Sequence, residues 1–175
     1  MPGSPAHLFR RFLDVAVAHP LNASEKASVS HWLTPETAAV FFAQHAADQR
    51  HGYGAALTVI AGGVEDRDVV TAALLHDIGK RHARLGLVGR SVTSVMILLG
   101  LPLSERLATY RDHGLIGARE LVALGAPTVA IDFALHHHGD RPATIDPRTW
   151  DLLVRADQPP KATSSLLSRI TSTAR

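Results

Sequence analysis

The chain contains no cysteine. That absence excludes a disulfide framework, thiolate metal sites and a cysteine nucleophile. It fits a reducing compartment, and the expected location is cytoplasmic. The N-terminal residues also lack the charged start, apolar run and small-residue cleavage site of a secretory signal. No apolar run is long enough to span a bilayer. The most apolar stretch, Ser91 to Leu103, is too short and is interrupted by Gly100 and Pro102. It is expected to be a buried core helix, with a helix lying on a membrane surface as the competing reading. Strand signals are poor, because no stretch alternates cleanly and no Asn-Gly hairpin occurs. Internal repeats and low-complexity segments are missing too.

Charge of one sign is also scarce. The 18 basic and 16 acidic residues leave a net charge of +2, although the isoelectric point is about 9.4. Such a bias is weak reason to expect an anionic partner. The basic residues gather locally at Lys80, Arg81, Arg84 and Arg90 without interleaved aromatics. A nucleic-acid duplex is therefore not an expected partner.

What the chain does have is 46% apolar residues over 175 positions, enough for one domain with a hydrophobic core. Helix signals recur along it. Ala6 to Ala18 reads as a first helix ending before Pro20. Thr34-Pro35-Glu36 places an N-cap residue before a proline at the first helical position, opening a helix to about Ala47. Further helices are expected over His51 to Ile60, from Asp66 or Asp68 to Asp77, and over Gly89 to Leu99. Another starts at Ser104-Glu105 and leads, with a break near Asp112, to Leu124. Pro127 opens a helix ending near His138-Gly139. Asp146-Pro147 opens one that stops before Pro159, and Ser164 to Arg175 reads as a short helix or a frayed end. Seven or eight short helices broken by Gly and Pro describe a compact, all-α, single-domain bundle. Its expected parts are an N-terminal helical segment (1–34), a metal-binding domain (35–160) and a tail (161–175).

Eleven histidines are the unusual number, since histidine is the commonest side-chain metal ligand and the usual acid–base group near neutral pH. Their helical phases are informative. His51 shares a face with Ala55, Val59 and Gly62. His76 prolongs the stripe of Val69, Ala72 and Ala73, and Asp77 that of Val70 and Ala73. His113 leads Ile116, Gly117, Leu121 and Leu124. Ala130, Phe133 and Ala134 lead to His137, and Ala134 also to His138. Trp150, Leu153 and Val154 lead to Asp157. Taken singly, each of these is ordinarily a hydrogen-bonded core residue, and Asp157 could be held by an arginine. Taken together, five helices each place a His or Asp on the inward face near one end. One shared cation accounts for all of them, and for the cost of burying a carboxylate. His7, His19, His31 and His45 lack this company, and His82 sits in the basic loop, from where it could approach the site without being counted as a ligand. His136 is ambiguous, because successive helix positions are about 100° apart and three in a row cannot face one centre.

The order His51, His76-Asp77, Asp157 resembles the H…HD…D signature of the HD-domain metal-dependent phosphohydrolases, and ALLHDIGK (Ala73 to Lys80) is similar to the typical form of its central motif. The run DHGLIGARELVALGAP followed by HHHGD is similar to the pattern of the HD-GYP cyclic-dinucleotide phosphodiesterases and their relatives, which add histidines for a second metal. No GYP follows, since the chain reads HHHGDRPATID. The resemblance is thus to a stand-alone HD domain with an extended histidine set.

The resemblance implies His51, His76, Asp77 and Asp157 around a first metal. It implies His113, His137 and His138 around a second, with Asp77 bridging. A set this rich in imidazole favours manganese, iron, cobalt, nickel or zinc, as one or two ions, over magnesium or calcium. Phosphoester hydrolysis needs a nucleophilic hydroxide and relief of phosphoryl charge, and metal ions supply both. Lys80, three residues after Asp77, is expected at the lip of the site as a phosphate-binding, catalytic cation, with helix-end charge stabilisation as its structural alternative. Arg81 and Arg111 are further candidates for that task. The expected activity is phosphatase or phosphodiesterase action on a small, nucleotide-like phosphate. The competing reading is a non-catalytic regulatory module that binds a nucleotide or a protein. Oligomeric state and substrate are not readable here.

Overall fold

The computed structural model describes residues 19–158, all helices and connections with no strand among them. In chain order the helices are α1 (Ala23–Trp32), α2 (Pro35–Phe42), α3 (Ala46–Ala61) and α4 (Arg67–Leu75). A 3-10 helix (Ile78–Ala83) follows, then α5 (Leu87–Leu98), α6 (Glu105–Arg111), α7 (His113–Ala123), α8 (Thr128–His136) and α9 (Pro147–Asp157). The all-α bundle expected from the sequence is the fold observed. The helices expected over Ala6 to Ala18 and Ser164 to Arg175 lie outside the described residues.

Capping chemistry sets most of the starts. Thr34 and Thr37 exchange capping hydrogen bonds with Pro35 at the first helical position. Asp66, rather than Asp68, caps α4 through the amides of Asp68 and Val69. Asp146 caps α9 in the same way. The expected break near Asp112 is real, since α6 ends at Arg111 and α7 begins at His113.

Two differences from expectation have local causes. Helix α1 carried no apolar periodicity, and Val29 is the one buried residue within it. It forms because Asn22 and Glu25 close a reciprocal capping box. The single helix expected from Pro35 to Ala47 is two. The chain turns after Phe42, and the side-chain amide of Gln49 donates to the carbonyls of Phe42 (3.1 Å) and Gln44 (2.9 Å). His45 then caps α3.

Helix α4 is the hub. Val69 through Leu75 are all buried, as expected of a helix apolar on every side. It contacts α1, α2, α3, α8 and α9. Phe41, Leu74, Leu75, Ile78, Leu121, Phe133, Ile145 and Leu153 complete a single core.

The Ser91 to Leu103 segment corrects the expectation of a buried core helix. It supplies most of α5 and the turn after it, but Val92, Val95, Leu98 and Leu99 are exposed. The inward side of α5 holds Arg90 and Thr93 instead. Arg90 donates to both oxygens of the buried Asp48 (2.6 and 2.7 Å) and to the Leu85 carbonyl (3.0 Å). An ion pair, rather than apolar burial, thus fixes α5 to α3. No helix among the described residues is long and apolar enough to cross a membrane.

Removing one member of a buried pair strands the other charge. Arg90→Ala is therefore expected to cost about 3–5 kcal/mol in urea unfolding. The double variant Arg90→Met, Asp48→Leu is expected to recover most of that loss.

Candidate metal centre

Five helices deliver the site, mostly through their ends. His51 lies in the second turn of α3. His76 is the C-cap of α4, and Asp77 follows it as the N-cap of the 3-10 helix. His113 is the first residue of α7 and His137 the C-cap of α8. Asp157 is the last residue of α9.

Three histidines are oriented by one device. The Nδ1 atoms of His76, His113 and His137 meet the carbonyls three residues earlier, those of Ala73 (2.9 Å), Tyr110 (2.8 Å) and Ala134 (2.9 Å). A ring nitrogen facing a carbonyl carries the proton. That leaves the Nε2 lone pair of a neutral ring aimed inward, the usual arrangement of a metal-ligating imidazole. The same bonds occupy carbonyls at helix ends that lack an intrahelical partner.

The inward atoms form two groups. His51, His76 and Asp77 offer ligand atoms within 4.8 Å of one another, and so do His113, His137 and His138. Asp77 stands between them and is 2% exposed. Its Oδ2 lies 3.5 Å from His76 Nε2, 3.8 Å from His51 Nε2 and in contact with Lys80 Nζ. Its Oδ1 lies 3.2 Å from His113 Nε2 and 3.6 Å from His137 Nε2. That oxygen is buried without a well-directed hydrogen bond. Asp157 Oδ1 joins the first group, 2.8 Å from His51 Nε2 and 3.0 Å from His76 Nε2.

The donor set fits a divalent cation. His113 and His137 bring their Nε2 atoms to 3.3 Å, although each ring has its proton on Nδ1. Two lone pairs at that distance repel, and the orphaned carboxylate oxygen beside them wants positive charge. A transition metal satisfies all three atoms. Phe133 backs both groups with its ring centroid 5.6 Å from that of His76 and 5.9 Å from that of His137. It closes the inner side with apolar surface.

Electrostatics among the protein groups are strongly coupled. Burial works to lower the His76 imidazole, but Asp77 and Asp157 outweigh it and raise it to about 9. Burial works to raise Asp77, yet Lys80 and His76 hold it well below the carboxylate range. Asp157 is lowered too, against its burial, by His76 and His51. Burial, then His137 and His113, push His138 down to about 3. His113 is lowered, chiefly by burial.

The remaining candidates fall out as follows. Lys80 is 6% exposed and lies against Asp77, so it is buried inside the site and not at an open lip. Arg81 is not brought to the cluster. It grips Glu120, which sits seven residues and roughly 10 Å along α7 from His113. Arg111 pairs with its neighbour Asp112 at the surface. His136 lies outside both groups.

Close backbone approach is the feature sequence reasoning missed. A Cβ on Gly79 would lie 2.0 Å from the His113 carbonyl, and one on Gly114 would lie 2.7 Å from the Ala134 carbonyl. These glycines let the 3-10 helix, α7 and α8 meet closely enough for their His and Asp side chains to converge. The signal was present, since His51, His113 and His138 are each followed by glycine and Asp77 has one two residues on.

A family model described as HD domain matches residues 41–174. The match covers well over half of the chain, and the chain belongs to the HD-domain family, a superfamily of metal-dependent hydrolases. No curated protein and no solved structure matches it.

With its pKa raised to about 9, His76 stabilises the metal-stripped fold fully below its unfolded value of about 6.5. That contribution is lost as pH rises through 9. A metal competes with this proton. Titration of a divalent metal into stripped protein at pH 7, in buffers of different ionisation enthalpy, should therefore release about one proton from His76. Affinity should rise about tenfold per pH unit towards pH 9.

Proposed function

We propose that this HD-domain protein is a phosphohydrolase that holds two divalent transition-metal ions, one on each side of Asp77. It cleaves a phosphomonoester or phosphodiester bond of a nucleotide, cyclic dinucleotide or related small phosphate. The observation that carries this reading is the division of labour at Asp77, whose two oxygens face two separate histidine sets. His51, His76 and Asp157 would hold one ion with Oδ2. His113, His137 and His138 would hold the other with Oδ1.

Bound metal supplies Lewis acidity towards a phosphoryl oxygen and lowers the pKa of water towards neutrality. The protein's own groups do the rest. The three Nδ1–carbonyl bonds keep the ligating rings from rotating, so little reorganisation is needed. Phe133 and the core behind it exclude water from the inner side. His138 is exposed and the His51 side chain is 29% exposed, which marks the edge where a substrate phosphate arrives. Lys80 is the cation nearest the bridging carboxylate, and its role in this reading is to balance charge on the phosphoryl oxygens. Arg81 and Arg111 are better explained by their pairing with Glu120 and Asp112. A cysteine-free enzyme with such a site suits the cytoplasm.

The test is Asp77→Asn, which keeps the shape but removes the charge shared by both groups. Elemental analysis should fall from about two metal ions per chain to fewer than about one, and hydrolysis of an aryl phosphate diester should drop at least about 10³-fold. Wild-type protein that carries metal and binds nucleotides without turnover under any metal would instead support the regulatory module.

A further inference from the structure

We infer that Glu120 is a positioning residue that sets the register of the 3-10 helix along α7, and so holds Asp77 Oδ1 against His113. This rests on the two-ion reading above. The 3-10 helix meets α7 through glycine. Gly79 lies on the His113 carbonyl and the Gly117 amide, and a Cβ on Gly117 would in turn lie 3.2 Å from the Gly79 nitrogen. Such a contact is close but smooth. With no side chain interlocked at Gly79, the contact resists separation better than it resists sliding along the helix axis.

Glu120 supplies the missing pin. Its carboxylate takes both arms of the Arg81 guanidinium, one of them at 2.6 Å, and His82 Nε2 at 3.1 Å. The same Arg81 nitrogen donates to the Ile78 carbonyl at 3.0 Å. One carboxylate on α7 is thereby tied, through Arg81, to the residue directly after Asp77. The pin lies away from the metal ligands but on the same interface, two turns along α7 from His113. Arg81 and Glu120 are largely shielded, 16% and 22% exposed, while His82 lies at the surface. Bidentate arginine–carboxylate pairs add directional specificity as well as energy. At the far end of the 3-10 helix, Arg106 donates to the carbonyls of Ala83 (2.9 Å) and Arg84. Arg84 takes a left-handed φ of 48° there. Those bonds close the turn but do not reach α7; there the buried Ile78 packs at Gly117, and Glu120 adds the directional polar tie.

The consequence is selective. Slippage would separate Asp77 Oδ1 from His113, whereas His51, His76 and Asp157, three of the four groups around the first ion, come from α3, α4 and α9 and stay together. Metal-stripped full-length protein titrated with Mn²⁺ by calorimetry distinguishes the two ions, the second being the step that His138→Ala removes. Glu120→Ala is expected to weaken that step at least about tenfold and to leave the other within about threefold. Arg81→Ala should do the same, and the double variant should be no worse than either single one, since both remove one linkage. Glu120→Gln, which can still accept from Arg81, should recover part of the loss. Equal weakening of both steps, as general destabilisation would give, overturns the inference, and so does no weakening of either. A wild type that takes up no second Mn²⁺ overturns the two-ion reading, and this inference with it.

Discussion

A carboxylate that is 2% exposed where five helices converge remains charged only if nearby cations or hydrogen-bond donors compensate it. Asp77 meets that demand on one side with Lys80 and His76. On the other side Oδ1 faces two imidazole nitrogens whose protons are committed elsewhere. The rest of the site follows from this imbalance. Histidines are anchored by Nδ1 to helix-end carbonyls, the backbones approach through glycine, and Phe133 shuts the inner wall. The site is built to keep a buried anion between two clusters of imidazole and carboxylate groups that could hold a metal, an arrangement that membership of a metal-dependent hydrolase superfamily explains.

Helix ends are the economical place for such a centre. The last carbonyls of α4 and α8 lack partners, and His76 and His137 answer them while turning Nε2 inward. One set of hydrogen bonds therefore satisfies the backbone and orients the two imidazoles. The buried α4 brings these ends together, since it contacts α3, α8 and α9 directly. Polar pins then fix what apolar packing leaves free. Arg90 on Asp48 holds α5, and Arg81 on Glu120 ties the 3-10 helix to α7.

Much of this was legible in the sequence. Apolar stripes ending in His or Asp showed which residues face inward, because helical phase follows directly from spacing. Thr34-Pro35, Asp66 and Asp146-Pro147 announced helix starts through capping chemistry. What escaped was carried by signals other than hydrophobicity. Helix α1 rests on a capping box in a polar stretch, and α5 turns its apolar residues outward because a buried ion pair decides its orientation. Glu120 went unread although it sits seven residues after His113, since a charge on an inward stripe has meaning only once its partner is known. Arg81 and Lys80 were read as cations for a substrate phosphate, but their partners are likewise known only from packing. Sequence places all three near the site, but only packing decides which charge meets Asp77 and which meets Glu120.

The most direct measurement of the central claim is anomalous X-ray scattering from crystals of the metal-loaded protein. Two peaks are predicted about 4 Å apart, one on each side of the Asp77 carboxylate. One should be ligated by His51, His76 and Asp157, and the other by His113, His137 and His138. Metal-soaked crystals that show no anomalous density between these side chains, with Lys80 still paired to Asp77, would contradict it.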